Sequence, residues 1–279
     1  MKRYKKYIDN NKMYITEYSS LSEFINDINS LPTNKYYADR ELSSHREEAE
    51  NGYWYKTTSY NQATILMKEG WDSEAKKMAA KVKMTNTLST VSRSSKPAYG
   101  VVGSQASVPR YLQGIPTNMV SRQTTYSKQR VVTITKGISY RGSFTAEQIL
   151  EECIKALQII QSMENGGQRV RLNVMVATQQ NRSHSICKVC IKQPDERLNL
   201  SKMAFSLAHP SMLRRFFFRW IEVDPFIEFD LGRSYGFPSS LIKEAMEENE
   251  YYIPEKIADI NELMAQFSKG VKKPVTAID

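Results

Sequence analysis

The segment from His184 to Cys190 has the residue types of a zinc site at short spacing. Neutral imidazole and thiolate are common zinc ligands, but a structural site needs four ligands that converge. If the segment is a β-strand, Cys187 and Cys190 point to opposite faces of the sheet and do not share a metal. The chain has only three cysteines and three histidines in all, which leaves few further ligands. We therefore predict buried strand thiols here and no metal site.

A carboxylate cluster around Pro225 is the second group of residues whose side chains could bind a metal or take part in catalysis. Asp224, Glu228 and Asp230 carry groups that bind Mg²⁺ or act in acid–base catalysis. Together with His209 they suggest one alternative function, a metal-dependent nuclease or hydrolase. The chain has no Gly-x-Ser-x-Gly turn, no Walker motif and no dinucleotide fingerprint. We therefore favour a protein without catalytic residues or cofactors and keep the enzyme as an alternative.

The elements that would position such groups are clearest in the second half of the chain. Residues 131–135 are β-branched throughout, which suits a strand buried on both faces. Thr145 and Gln148 have capping-box spacing at the start of an amphipathic helix that ends at two glycines. Apolar strands follow at 169–177 and 186–191, and the short gap between them predicts a hairpin. The pattern predicts an α/β fold with a mixed, mostly parallel sheet flanked by helices.

The chain before this region divides into a helical part and an irregular part. Apolar residues recur at helical spacing from Leu21 to Ile28, and the charged segment Asp39–Glu50 indicates a solvated helix. After residue 85, Ser, Thr, Gly and Pro dominate and helical periodicity is lost. We predict four parts: a helical N-terminal region (1–84), a basic loop-rich linker (85–129), an α/β core domain (130–265) and a C-terminal tail (266–279).

Charge is distributed unevenly along the chain, whose formal net charge is +9. Residues 56–141 contain fourteen Lys or Arg and three acidic residues. Residues 222–262, by contrast, contain three Lys or Arg and eleven acidic residues. A basic block attracts polyanions through counter-ion release, although the two regions also neutralise each other in a folded protein. Basic and aromatic side chains that alternate can pair with phosphates and stack on bases. The predicted nucleic-acid-binding residues are Arg110, Tyr111, Arg122, Tyr126, Lys128, Arg130 and Arg141.

Composition limits the class of protein further. The chain has 279 residues, of which 41% are hydrophobic and 25% charged, as in an ordinary globular protein. No apolar run approaches the length of a membrane span, about 20 residues. No apolar stretch follows the basic N-terminus, as a secretory signal requires, and three cysteines are too few for a disulfide framework. We expect a protein of a reducing compartment that has no membrane partner and binds DNA, RNA or another protein.

The β-α-β unit, with a serine-rich turn after its first strand, resembles a von Willebrand factor A-type domain over residues 130–221. That family coordinates a metal through an Asp-x-Ser-x-Ser motif at this turn. Here the turn offers Ser139 and Ser143, four residues apart, and no acidic residue before Glu147. The resemblance implies a member that lacks the metal, and it makes Ser139 and Ser143 the predicted partner-binding residues.

A second resemblance covers more of the chain and rests on motifs in a fixed order. These motifs are Trp54–Tyr60 with Glu69–Trp71, then Val108–Gly114, then Ala208–Arg215. They are similar to an uncharacterised family of bacteriophage proteins, which implies a phage or prophage origin and the host cytoplasm, but no activity. We therefore expect a phage-encoded binding protein that engages nucleic acid or a nucleoprotein through basic loops. A protein–protein interaction module is the alternative.

Overall fold

The computed structural model describes residues 1–50, 52–82, 93–126, 131–165, 167–196, 198–232 and 235–268, with the backbone alone at 93–97, 122–126 and 268. The strands are β1 (Lys2–Ile8), β2 (Asn11–Tyr18), β3 (Arg93–Gly100), β4 (Gln105–Ala106), β5 (Met119–Tyr126), β6 (Val131–Gly137), β7 (Arg169–Gln180), β8 (Ser183–Lys192), β9 (Phe237–Pro238) and β10 (Glu250–Ile253). The α-helices are α1 (Leu21–Ser30), α2 (Tyr60–Glu69), α3 (Asp72–Val82), α4 (Val108–Leu112), α5 (Ala146–Asn165), α6 (Leu200–Ala208), α7 (Phe218–Val223) and α8 (Ile260–Ser268). Short 3-10 helices lie at Ser43–His45 and Lys243–Ala245, and a π-helix lies at Met212–Phe217.

The main sheet has seven strands in the order β1-β2-β8-β7-β6-β10, with β9 paired to the end of β7. β6 is parallel to both β7 and β10, and β2 is parallel to β8. The hairpins β1-β2 and β7-β8 are antiparallel, as is the short β9. The expectation of an α/β fold with a mixed sheet is confirmed.

The β6-α5-β7 unit forms as its sequence pattern predicts. Gln148 N–H donates to Thr145 Oγ1 at 3.3 Å, and Thr145 N–H donates back to Gln148 Oε1 at 2.9 Å. This reciprocal capping box satisfies two of the free N–H groups at the start of α5. Ile149, Cys153 and Leu157 then lie buried on one face of α5, against the sheet and α6. Local signals therefore fix both the start of α5 and its packing face.

Buried side chains of the helices gather in one large cluster on one face of the main sheet. Val174 and Val176 of β7 point into that cluster, whereas Met175 and Ala177 belong to a smaller cluster on the other face. The 3-10 helix Lys243–Ala245 covers the smaller cluster through Ala245. The sheet is therefore buried on both faces, as its continuous apolar strands predict.

The N-terminal region differs from the predicted helical segment, because the chain begins with the β1-β2 hairpin. Its turn is formed by Asp9 and Asn10, which both have positive φ (45° and 66°), a geometry that suits a two-residue hairpin turn. The helix predicted from Leu21 to Ile28 is present as Leu21–Ser30, and the helices Tyr60–Glu69 and Asp72–Val82 also lie within the predicted helical region 1–84. The charged segment 39–50 has only the 3-10 helix Ser43–His45, so the prediction of a solvated helix there is wrong.

Residues 93–126, which the sequence indicates to be loops, form a second small sheet. β3 and β5 pair antiparallel over their full lengths, β4 joins the other edge of β5, and α4 lies between β4 and β5 in the chain. The sequence of these strands lacks the alternation of apolar and polar residues that indicates a strand, and its Ser- and Thr-rich composition resembles that of loops. We call residues 93–126 the ribbon. Among the described residues, the hydrogen bonds recorded for the ribbon all end within it.

Candidate functional site

The ribbon lies in the least acidic part of the chain. No Asp or Glu occurs between Glu74 and Glu147, and the ribbon itself carries four basic residues. Those four are Arg93, Lys96, Arg110 and Arg122. The ribbon therefore carries an uncompensated positive charge that attracts a polyanion.

The ribbon also exposes an unusual share of apolar surface. Helix α4 buries none of its residues, and the ribbon contains six of the twelve large apolar or aromatic side chains that are exposed in the described part of the chain. These six are Tyr99, Val101, Val102, Val108, Tyr111 and Leu112. Contiguous apolar surface on a soluble protein commonly marks a contact with a partner.

Arg110 and Tyr99 form the best-defined basic and aromatic pair on the ribbon. The guanidinium carbon of Arg110 lies 4.1 Å from the ring centroid of Tyr99, which is half exposed. Within the described part of the chain, Arg110 makes no ion pair with a carboxylate. Tyr111, the next residue on α4, is 68% exposed and presents a free ring. The pair and its neighbour together offer one cation and two aromatic faces to an external ligand.

The other predicted nucleic-acid-binding residues do not all lie with Arg110. Arg122 and Tyr126 lie on β5, opposite Pro97 and Arg93, in the part where the backbone alone is described. Lys128 and Arg130 lie outside the described residues. Arg141 follows the other end of β6 and is separate from the ribbon. The structure therefore places four of the seven predicted residues on the ribbon.

Ser139 and Ser143 lie in the turn after β6, at the carboxyl end of that strand. Ser139 is buried, and its Oγ accepts a hydrogen bond from Ala177 N–H at 2.9 Å and donates to Ala177 O at 3.3 Å. Ser143 is exposed. Ser139 therefore ties the turn to β7, and partner binding by this turn stays a prediction.

Asp224, the first carboxylate of the cluster, is committed to structural contacts. Its side chain is fully buried and accepts hydrogen bonds from Trp220 Nε1 at 2.8 Å and from Thr16 Oγ1 at 3.1 Å. Arg3 lies at ion-pair distance, 3.4 Å. Burial raises the pKa of Asp224 despite these contacts. This carboxylate joins β2 to the end of α7 and offers no free face to a ligand.

Glu228 and Asp230 are exposed and paired with different cations. Lys5 Nζ donates to Glu228 Oε1 at 2.7 Å, and this contact lowers the pKa of Glu228. Arg40 binds both oxygens of Asp230, at 2.9 and 2.6 Å, and lowers its pKa. The three carboxylates therefore have separate partners and do not converge on one point.

His209 is buried and neutral rather than available for catalysis. Its ring stacks on Phe205 at a centroid distance of 4.7 Å and meets Trp71 edge to face at 4.7 Å. Burial lowers the pKa of His209 to about 3. Among the residues that the structure describes, no three His, Cys, Asp or Glu side chains are grouped to hold a metal ion. The three cysteines are buried free thiols.

The sequence does not predict the contacts of three residues, of which Tyr99 and Arg214 lie in candidate sites and Arg215 stabilises the fold. Tyr99 is joined to Arg110 only by the folding of the ribbon, and no local pattern links the two positions. Arg214 and Arg215 are almost fully buried, although arginine is rarely buried without a carboxylate partner. The only signal for them is their position beside Phe216, Phe217 and Phe218 in an apolar helix.

The fold and the candidate site define an α/β protein with a mixed sheet and a separate basic ribbon. Its sequence matches the family described as a domain of unknown function (DUF7192) over residues 3–276, so the chain belongs to that family. The expectation of an uncharacterised family is thereby confirmed. No curated protein and no solved structure matches the chain significantly. Within the described part of the chain, no helix has the length and apolar character needed to cross a bilayer.

Proposed function

We propose that this protein binds nucleic acid, largely independently of sequence, through the ribbon. The observation that carries this proposal is the combination of four basic residues, no acidic residue and exposed aromatic rings in one small sheet. Arg110, held over Tyr99 and without a carboxylate partner among the described residues, is the best-defined phosphate-binding group of the ribbon. Phosphate contacts of this kind give affinity without sequence selection.

The exposed apolar residues of the ribbon fit the same partner. Tyr111 offers a ring on which an unpaired base can stack. Val101 and Val102 lie in the turn after β3 and are 71% and 80% exposed. Proteins that bind duplexes through basic strands often insert such apolar side chains between base steps. Acidic residues repel phosphates but do not in general repel proteins. The absence of acidic residues from the ribbon therefore favours a nucleic-acid partner over a protein partner.

The wider setting of the proposal comes from the sequence resemblances. Similarity to bacteriophage proteins supports a phage-encoded protein that acts on nucleic acid in the host cytoplasm. The weaker similarity to a von Willebrand factor A-type domain supports the alternative function, contact with a host or phage protein through the turn at Ser139 and Ser143. That alternative does not depend on the ribbon binding nucleic acid.

The test is equilibrium binding of the full chain to a random-sequence single strand and to its duplex, measured by fluorescence anisotropy at several salt concentrations. If the four basic residues of the ribbon all contact phosphates, log K should fall against log[salt] with a slope of about −3.6 for duplex DNA. The affinity should be independent of sequence. Absence of binding at low salt, or a slope near zero, would contradict the proposal.

A pair of tyrosine variants separates the ribbon from the rest of the surface. Tyr111→Ala should weaken binding to the single strand about tenfold, the effect of losing one stacked base. Tyr53→Ala removes an equally exposed tyrosine, 78% exposed, outside the ribbon and should leave affinity unchanged. Equal losses in the two variants would show that the ribbon is not the interface.

A further inference from the structure

A cavity of about 740 Å³ lies at the carboxyl ends of β6 and β7, and no ribbon residue is among the described residues that line it. Its walls come from the turn after β6, the end of β7, the π-helix Met212–Phe217 and the segment around Phe237. In open α/β sheets the carboxyl ends of parallel strands are the usual position of ligand sites. A volume of this size suits a small organic molecule.

Arg214, on the π-helix, is the most informative side chain in the cavity wall. It is 2% exposed, and its guanidinium donates to the carbonyl oxygens of Trp54 and, at 2.9 Å, of Phe144. The guanidinium carbon lies 3.8 Å from the ring centroid of Trp54. Burial lowers the pKa of Arg214 to about 10. Short π-helical segments are often found at functional sites.

Arg214 forms no ion pair with a carboxylate within the described part of the chain. The nearby Glu48 instead accepts hydrogen bonds from the backbone N–H groups of Trp54, Tyr55 and Lys56, at 2.8 to 3.1 Å. Burying a guanidinium without a counter-ion is costly, and a bound anion would reduce that cost. The described residues that line the cavity include two arginines, Arg141 and Arg214, and no acidic residue.

The rest of the wall is mostly aromatic or apolar, and within the described residues two of its hydroxyls, those of Thr178 and Tyr140, have no hydrogen-bond partner. Trp54, Phe218, Tyr235 and Phe237 are among the aromatic side chains that surround the cavity, and the rings of Phe218 and Tyr235 stack at 4.4 Å. Thr178 also lines the cavity and is 8% exposed, yet its hydroxyl has no hydrogen-bond partner within the described residues. Buried hydroxyls are normally paired, so this one is a candidate ligand contact.

From these observations we infer that the cavity binds a planar aromatic molecule that carries one anionic group, either a carboxylate or a phosphate. The ring would lie among the aromatic side chains, and the anion would lie between Arg214 and Arg141. The Thr178 hydroxyl would supply one neutral hydrogen bond. This site uses no residue of the ribbon, although its lining includes Arg141 and Ser139, which the sequence predicts to bind nucleic acid and a protein partner.

Isothermal titration calorimetry on the full chain tests the inference with two matched pairs of probes. Indole-3-acetate and its amide differ only in the charge of the carboxylate, and adenosine monophosphate and adenosine differ only in the phosphate. At least one anion should bind, and its neutral counterpart should bind at least tenfold more weakly. If neither anion binds, or if the neutral compounds bind equally well, the inference is wrong.

Three variants locate the site. Arg214→Gln should weaken binding of the anion about tenfold or more and leave the weak binding of the neutral probe unchanged. Since Arg214 also holds two backbone carbonyls, circular dichroism must show that this variant folds. Thr178→Val removes an unpartnered hydroxyl, so it should fold at least as stably while anion affinity falls a few-fold. Arg141→Gln, at an exposed position, should likewise weaken only the anion. Unchanged anion affinity in Thr178→Val and Arg141→Gln would overturn the assignment even if Arg214→Gln does not fold.

Discussion

Arginine stacks on an aromatic ring both in the ribbon and in the α/β domain, but in very different surroundings. In the domain, the guanidinium carbon of Arg215 lies 4.2 Å from the ring centroid of Tyr55. That guanidinium also donates four hydrogen bonds, including bonds to the carbonyl oxygens of Ser44 and Thr57. In the ribbon, Arg110 lies at nearly the same distance from Tyr99, 4.1 Å, without an acceptor among the described residues.

The difference shows how one type of contact serves two purposes. Arg215 is fully buried, and it fastens the segment around residues 43–58 to the π-helix Met212–Phe217. Arg110 has no hydrogen-bond acceptor among the described residues, while its ring partner Tyr99 holds the guanidinium in place. An arginine that uses most of its five donors within the protein, as Arg215 does, stabilises the fold, and one whose donors remain available suits an external phosphate. This contrast fits the proposed division, in which Arg215 stabilises the domain and the ribbon binds nucleic acid.

Replacing residues 93–126 with a short Gly-Ser linker is the most drastic test of this division. Binding to nucleic acid should be lost completely, because the proposed interface is removed. The free energy of unfolding of the domain should change by less than about 1 kcal/mol, since the hydrogen bonds recorded for the ribbon remain within it. Anisotropy and chemical denaturation measure the two quantities. A domain that unfolds without the ribbon would show that the two regions are not independent.

Arg215→Ala should have the largest effect of any single substitution on stability. It leaves two backbone carbonyls of residues 44–46, together with the carbonyl and hydroxyl of Thr57, without their donor. The expected loss is about 3 kcal/mol or more in the free energy of unfolding. Arg110→Ala is the matched control and should leave stability unchanged, as measured by urea denaturation. Similar losses in the two variants would remove the contrast between the regions.

The contrast between the domain and the ribbon also explains which parts of the fold the sequence predicts. The β6-α5-β7 unit was predictable because both its strands and its helix bury an apolar face, and Thr145 and Gln148 form the expected cap. The ribbon was not predictable as a sheet, because the sequence of its strands shows no apolar alternation. The β1-β2 hairpin was missed for a related reason: β1 lies at the sheet edge and alternates only weakly.

The same limit on prediction applies to the candidate sites, because local sequence patterns do not report contacts between distant positions. Arg110 and Tyr111 were predicted because charge and aromatic content can be counted along the chain. The pairing of Arg110 with Tyr99 was not, because it depends on the fold of the ribbon. Arg214 was not predicted either, since a charged residue in an apolar helix gives no sign of whether its charge will be buried. Sequence patterns report which groups are present, whereas contacts between distant positions report which groups remain unused.

The pH dependence of stability tests whether the buried side chain of His209 stays neutral in the folded protein. The pKa of His209 is lowered to about 3 by burial, so the folded protein keeps this ring neutral at a pH where the unfolded chain protonates it. His209 therefore costs no stability above about pH 6.5, and stability falls as the pH drops from there towards 3. Relative to His209→Asn, the wild type should lose up to about 1.4 kcal/mol per pH unit in this range.

Denaturation of both proteins at several pH values measures this difference, and contributions from His45 and His184 cancel because both proteins retain them. The variant should be less stable than the wild type at neutral pH, since it loses the stacking on Phe205. That gap should narrow as the pH falls from 6 to 4. A gap that stays constant would show that the unfolded and folded states protonate residue 209 alike.

Arg110→Gln should have the smallest effect of these changes, and it tests the role of the ribbon in phosphate binding most directly. If Arg110 contacts one phosphate, the variant should lower the slope of log K against log[salt] by about 0.9 in magnitude and weaken binding only a few-fold. The loss should be similar for every sequence, because a phosphate contact carries no sequence information. Arg182→Gln removes an exposed arginine from the β7-β8 turn of the domain and should leave the slope unchanged. If both variants lower the slope equally, the electrostatic field of the whole protein attracts the nucleic acid, and the ribbon is not the specific interface.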